Sequence, residues 1–154
     1  MAAAQTLHAK IPFPEQPARK DRPVLSVVVV NFRQWDQTAR LVDQLHSAEA
    51  LRRGLAEVVV VDNHSPQHPL VPRLRRRSGV SVRRWGRNHG FARAVNEGCR
   101  LSVGDWFLLL NPDTTPCDNF LDGVLERVQE LETQESRAGI VGFHLRNGDG
   151  SRQL

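Results

Sequence analysis

Apolar residues in this chain alternate between two arrangements. Short unbroken runs of β-branched residues or leucine are separated by longer stretches in which apolar positions recur every three or four residues. VLSVVVV at 24–30 and EVVVVD at 57–62 are runs of the first kind. A strand wetted on one face alternates apolar and polar residues, whereas an unbroken run marks a strand covered on both faces, as in a parallel sheet. VSVRRW at 80–85 is less apolar and is placed nearer an edge, while DWFLLL at 105–110 and AGIVGFHL at 138–145 complete five expected strands. Asp36 is placed as the cap of a helix whose apolar face is Leu41, Val42, Leu45 and Ala48, with Gly54 ending it. A short helix is expected before Arg77 and a longer one from Phe91 to Leu101. In the longer helix Gly98 costs roughly 1 kcal/mol against alanine, so it marks a break or a close packing. Thr115-Pro116 is read as the cap and first position of a last helix, with Phe120, Leu121, Val124, Leu125, Val128 and Leu131 on one stripe. RNGDGS at 146–151 reads as a turn. Strand and helix alternate throughout, which predicts an α/β sandwich with a mostly parallel sheet.

Composition narrows the picture. The chain has 154 residues, 40% of them hydrophobic, which suits one domain with its own core. Residues 1–23 are rich in alanine, proline and charge without periodicity and are expected to form a mobile tail, with the domain occupying 24–154. The formal charge of +4 admits an anionic partner, although the arginines at 73, 75, 76, 77, 83, 84 and 87 read first as a solvated basic face. Cys99 and Cys117 are the only cysteines and form no CxxC, which argues against a disulfide framework or zinc site and for a reducing compartment. No window approaches the ~18 consecutive apolar residues of a membrane span, and the start has no signal-peptide core.

Chemistry is expected beyond the carboxyl ends of the strands, where open α/β sheets bind ligands. Asn31-Phe32, Asp62-Asn63 and Asn111-Pro112-Asp113 stand at three such ends. If the strands are parallel, all three face one rim. Asn111 and Asp113 then offer two oxygen donors, suited to a hard cation such as Mg²⁺ or Mn²⁺ held together with a diphosphate. Asn-Pro-Asp-Thr is equally a set of turn formers, so this motif alone leaves a plain capping turn open. Neither GxGxxG after a strand nor GxxxxGK[ST] occurs, which disfavours dinucleotide and P-loop readings.

Four segments taken together, SVVVVNF, VVVVDNHS, NHGFARAVNEG and LLLNPDT, resemble in order and spacing the nucleotide-sugar-binding half of family 2 glycosyltransferases, especially the rhamnosyltransferase-like bacterial members. GFHLRNGDGSRQL continues the likeness to the last residue. The resemblance implies the GT-A fold, a Rossmann-like sandwich. It implies that Phe32 packs on the nucleobase and that Asp62, with Asn63 beside it, hydrogen-bonds the base. Gly90, Ala94 and Asn96 match the segment along the nucleotide and diphosphate. Asn111 and Asp113 match the ends of a DxD-type motif, with Asp113 as ligand of the divalent metal. There are two departures from the family pattern: Asn111 replaces the commoner aspartate, and His64 stands where glycine is usual.

The activity implied is inverting transfer of a sugar from a UDP- or dTDP-sugar to a glycan or lipid-linked acceptor, in cell-wall or polysaccharide biosynthesis. Inverting transfer needs a base to deprotonate the acceptor hydroxyl. In the family this base lies downstream of the DxD-type motif, and neither Glu126 nor Asp149 matches it. The resemblance therefore implies a chain truncated before its acceptor half, with a non-catalytic nucleotide-sugar-binding remnant as the alternative. A sheet lacking its second half would keep an open edge, which invites self-association. A cytoplasmic location is expected, and the basic face fits contact with the inner face of an anionic membrane. Nucleic acid is not an expected partner, because no reader motif accompanies the arginines.

Overall fold

The computed structural model describes residues 22–134 and 139–152. The expected tail at 1–23 lies outside these residues except for Arg22 and Pro23, and Arg22 is paired with Asp105. Four strands form one sheet: β1 (Leu25–Asn31), β2 (Ala56–Asp62), β3 (Val80–Arg84) and β4 (Trp106–Leu110). They lie in the order β3-β2-β1-β4 and every pair is parallel. The expected α/β sandwich is therefore present, and the weakly apolar β3 does take an edge. The two valine-rich strands occupy the centre, where both faces are covered.

Alternation along β1 and β2 divides the core. Val27, Val29, Val58 and Val60 face a layer made by α1 (Trp35–His46), α2 (Glu49–Arg52), α3 (Leu70–Arg75) and α5 (Phe120–Thr133), which contribute Leu41, Leu45, Leu51, Leu74, Leu121 and Leu125. On the opposite face Val30, Val59 and Val61 pack with Ala94 of α4 (Phe91–Leu101). Gly98 resolves the choice left by the sequence. The helix runs through it unbroken, and a Cβ at this position would stand 2.3 Å from Val28 Cγ1. Close packing, not a break, is what the glycine provides.

Three expectations at element ends are corrected. Helix α1 starts at Trp35 behind Gln34, not behind Asp36, which sits in the first turn. The buried Trp35 ring and a hydrogen bond from Gln34 N to Asn31 Oδ1 (3.3 Å) fix that earlier start. The same helix stops at His46, and Gly54, at φ +70°, follows the separate short α2. The last helix begins at Phe120, after Asn119 in a left-handed conformation, so Thr115-Pro116 belongs to the preceding loop. Its Asp122 carboxylate accepts from Glu49 N and Ala50 N, capping α2. The fifth strand is absent among the described residues: 139–145 pair with no strand, and Ile140 is 94% exposed. Its apolar pattern suits a strand, but pattern alone gives no neighbour to donate and accept the ladder hydrogen bonds. Nearby, Arg146 and Arg152 form an isolated bridge across the expected turn.

Candidate donor-binding site

Because all four strands are parallel, their carboxyl ends share one rim. A cavity of about 370 Å³ opens there, lined by Phe32, Gln34, Asn63, Asn88, Gly90, Phe91, Asn111 and Asp113, with Val30 and Pro112. Of the residues singled out from the sequence, Phe32, Asn63, Gly90, Asn111 and Asp113 meet in this one space. Asp62, Ala94 and Asn96 do not line it.

Asp62 lies beneath the cavity and is wholly buried. Its Oδ1 accepts from Asn31 Nδ2 (2.8 Å) and from Ser65 N (3.2 Å), and its Oδ2 accepts from Arg84 Nε (2.9 Å). A carboxylate this enclosed is stable only because it is paired and hydrogen-bonded. Asn31, the register partner of Asp62, extends the network. Its amide nitrogen also donates to Ser65 Oγ (2.9 Å), and its Oδ1 accepts from Thr38 Oγ1 (2.8 Å). Arg84 donates further to the carbonyls of Ser65 (2.7 Å) and Pro66 (3.2 Å). This network ties the ends of β1, β2 and β3 to the loop after β2. Within that loop His64, where the family resemblance expects glycine, is held at φ +76°.

Asn63 is one residue further along and serves the cavity wall. Its Oδ1 accepts from His89 N (2.8 Å) and its Nδ2 donates to Asn88 Oδ1 (2.8 Å). Asn88 Oδ1 also accepts from Gly90 N (2.8 Å). The 88–90 segment is thus pinned to the end of β2 and delivers the chain into α4. Gly90 enters the helix at φ +85°, a conformation that favours glycine. The unsatisfied amides at the start of α4 carry partial positive charge next to the cavity. Ala94 is buried against the sheet, and Asn96 is exposed further along the helix.

Across the rim, Asn111 and Asp113 flank the buried Pro112, and both are exposed to solvent at the cavity wall. Phe32, 40% exposed, offers an aromatic surface beside Gln34. Asp113 is the one carboxylate on the wall among the described residues, and these contain no cluster of three or more His, Cys, Asp or Glu suited to a metal. One carboxylate and a neighbouring amide oxygen do fit a Mg²⁺-type ion that takes its other ligands from water and phosphate oxygens. Sequence reasoning missed Arg84, which belongs to the buried network and not to a solvated face. The signal was its place in β3, where the register sets it opposite Asp62. Asn88, Gln34 and Phe91 were also missed as wall residues.

Solved structures with the same fold include S. aureus TarS 1-349, with a TM-score of 0.62 and 22% identity over 70% of this chain and 33% of that one. TarS 1-349 in complex with UDP-GlcNAc gives 0.62 and 22%, covering 70% of this chain and 32% of that one. The mannosyltransferase PcManGT from Pyrobaculum calidifontis, in complex with GDP-Man and Mn²⁺, gives 0.61 and 21%, over 90% of this chain and 40% of that one. The present chain thus spans roughly a third to two fifths of these proteins. No curated protein sequence matches it. The family model described as Glycosyl transferase family 2 matches residues 26–149. With that match over well more than half of its length, and with the GT-A fold of those glycosyltransferases, the chain belongs to glycosyl transferase family 2.

Proposed function

We propose that this chain binds a nucleotide-diphosphate sugar in the rim cavity and forms the donor half of an inverting glycosyltransferase acting on a glycan or lipid-linked acceptor. The observation that carries the reading is the convergence of Phe32, Asn63, Gly90, Asn111 and Asp113 on one cavity at the strand ends of a family 2 chain. In this reading Phe32 packs on the base and Asn63 borders it. Asp62 acts from below, holding the floor on which the base rests. Gly90 lets the backbone approach the diphosphate, while Ala94 seats α4 against the sheet and Asn96 lies further along that helix. Asn111 and Asp113 hold Mg²⁺ or Mn²⁺ against the diphosphate. The ion would neutralise charge building on the departing nucleotide. TarS with UDP-GlcNAc and PcManGT with GDP-Man and Mn²⁺ support the ligand class, as neighbours in fold.

A second reading is a donor-binding module without turnover. It is favoured by Asp113 being the one carboxylate on the cavity wall among the described residues, since a metal would occupy it and leave no base there. Calorimetric titration of UDP, dTDP and GDP, with and without Mn²⁺, tests both readings on wild type and Asp113→Ala. Metal-dependent binding that the variant loses supports the donor site. Hydrolysis or transfer of a bound UDP-sugar then separates enzyme from module. Absence of binding by any nucleotide would overturn the proposal. No helix among the described residues is long and apolar enough to cross a membrane, and contact with a membrane surface through the arginines is part of the proposal only for a lipid-linked acceptor.

A further inference from the structure

Beside the cavity, at the mouth of α4, Arg87, His89 and Arg93 come together with no carboxylate paired to them among the described residues. Arg87 Nε donates to His89 Nε2 at 3.3 Å. The other ring nitrogen, Nδ1, lies 3.5 Å from Arg93 Nη1, so both guanidinium groups converge on one imidazole. The residue is held at its backbone and touched at its ring. His89 N is bound to Asn63 Oδ1, and its imidazole meets the Trp85 ring edge-on with centroids 4.7 Å apart.

The carboxylate best placed to neutralise Arg93 is Glu97, one turn along the same helix face. It is already committed. Arg100 donates to both of its oxygens (3.0 and 2.9 Å), and Arg83 lies 3.6 Å from Oε1. The hydrogen bond from Arg100, with the charges of Arg100 and Arg83, holds the Glu97 carboxyl below its ordinary range against the opposing effect of desolvation. Neither Arg87 nor Arg93 pairs with a carboxylate among the described residues. By contrast, Arg73 and Arg77 share Asp43, and Arg84 is bound to Asp62. Of the arginines noted in the sequence, Arg73, Arg77, Arg83 and Arg84 are thus compensated by carboxylates, and Arg87 is not.

We propose that Arg87, His89 and Arg93 form an oxyanion site that takes a phosphoryl group next to the donor cavity. A phosphate oxygen seated between the two guanidinium groups, beside the His89 ring, gives both cations the anionic partner that no carboxylate among the described residues supplies. Guanidinium groups bind phosphate through charge-assisted, often paired hydrogen bonds, which suits this chemistry. The phosphoryl group has two sources: the diphosphate of the donor, or a phosphate carried by the acceptor. Only the choice between sources rests on the donor reading above; the site itself is tested without any nucleotide.

The experiment is calorimetric titration of sodium pyrophosphate, in metal-free buffer of low ionic strength, into the full chain. Variants are Arg87→Gln, Arg93→Gln and their combination. Arg53→Gln, which sits before β2 at the opposite end of the strands and removes the same charge, is the control. Each guanidinium removed should weaken pyrophosphate binding by roughly tenfold, as expected for charge-assisted hydrogen bonds, and the control should leave it unchanged. Circular dichroism and melting should be unchanged in all variants, because these arginines are exposed. Repeating the titration in saturating UDP and Mn²⁺ distinguishes the sources. Competition assigns the site to the donor diphosphate, and simultaneous binding assigns it to a second anion; either supports the site. Equal affinity in wild type and the double variant overturns it, as does an equal loss in Arg53→Gln, which would reduce the effect to net charge. If UDP fails to bind while pyrophosphate binding depends on Arg87 and Arg93, the donor reading fails and the oxyanion site stands.

Discussion

Replacing Gly98 with alanine adds one methyl group where the fold has the least room for it. Helix propensity alone favours the change by about 1 kcal/mol. Packing opposes it. The new Cβ would lie 2.3 Å from Val28 Cγ1, with Val28 Cβ at 3.4 Å and Cγ2 at 3.5 Å. Carbon atoms rest about 3.5–4.0 Å apart, so roughly an ångström or more must be recovered. Val28 is 1% exposed and branched at Cβ, so it has no flexible end to swing aside. Helix α4 must lift from the sheet or the valine must leave its rotamer, and overpacking of this kind costs about 1–3 kcal/mol or more. The net expectation is a loss of about 1–2 kcal/mol in urea unfolding, from the difference of these two effects. A double-mutant cycle isolates the cause. Val28→Ala alone should cost about 2 kcal/mol through lost burial and an unfilled cavity. Combined with Gly98→Ala it should cost at least about 1 kcal/mol less than the sum, because the new methyl fills the space left by Cγ1. A stabilised single variant, or strict additivity, would refute the reasoning. Since α4 begins at Phe91, just after Gly90, and both line the cavity wall, the same lift should weaken ligand binding in Gly98→Ala and be relieved in the double variant.

Two further outcomes follow from the polar floor and the sheet edge. Arg84→Met leaves the buried Asp62 carboxylate without its cation and should cost about 3 kcal/mol in chemical denaturation, with much of the loss recovered when Asp62→Asn is added; an unchanged midpoint would show the pair to be dispensable. Phe107 and Leu109, 49% and 53% exposed on one face of the edge strand β4, should promote self-association in this chain, and Phe107→Lys with Leu109→Lys should shift micromolar samples toward monomer in sedimentation velocity. A wild-type monomer across that range counts against this apolar face as a contact.

The strands were legible where both faces are covered. Continuous valine in β1 and β2 leaves no alternative to a central parallel position, and the fall in apolarity at β3 marks its edge. Helix α4 was legible to its ends because its glycine start and its apolar positions agree. The misses have a common origin in tertiary context. Pro116 carries the local signal of a helix start, yet the chain turns through a left-handed Asn119 before α5 can seat Leu121 and Leu125 in the core. The stretch 139–145 carries the local signal of a strand, but a strand exists only through its neighbour. Arg84 reads as one of many surface charges until strand register places it across from Asp62.

The site divides along the same line, and strand geometry explains how. Successive side chains point to opposite faces, so neighbouring residues at a strand end take different tasks. Asn31 and Asp62 are register partners on one level, and both turn inward to bind Thr38, Ser65 and Arg84. Phe32 and Asn63, each one residue later, reach the cavity. The sequence marks all four as unusual at the end of an apolar run, but it carries no sign of which pair faces the ligand. That division requires the parallel register of β1 and β2, which places two polar residues together beneath two wall residues. The rim is consequently braced along the β1–β2 side of the cavity. Its Asp62 carboxylate contributes through the Arg84 and Asn31 contacts that hold the floor in place, and Asn63 extends that bracing to the 88–90 segment through its own two hydrogen bonds.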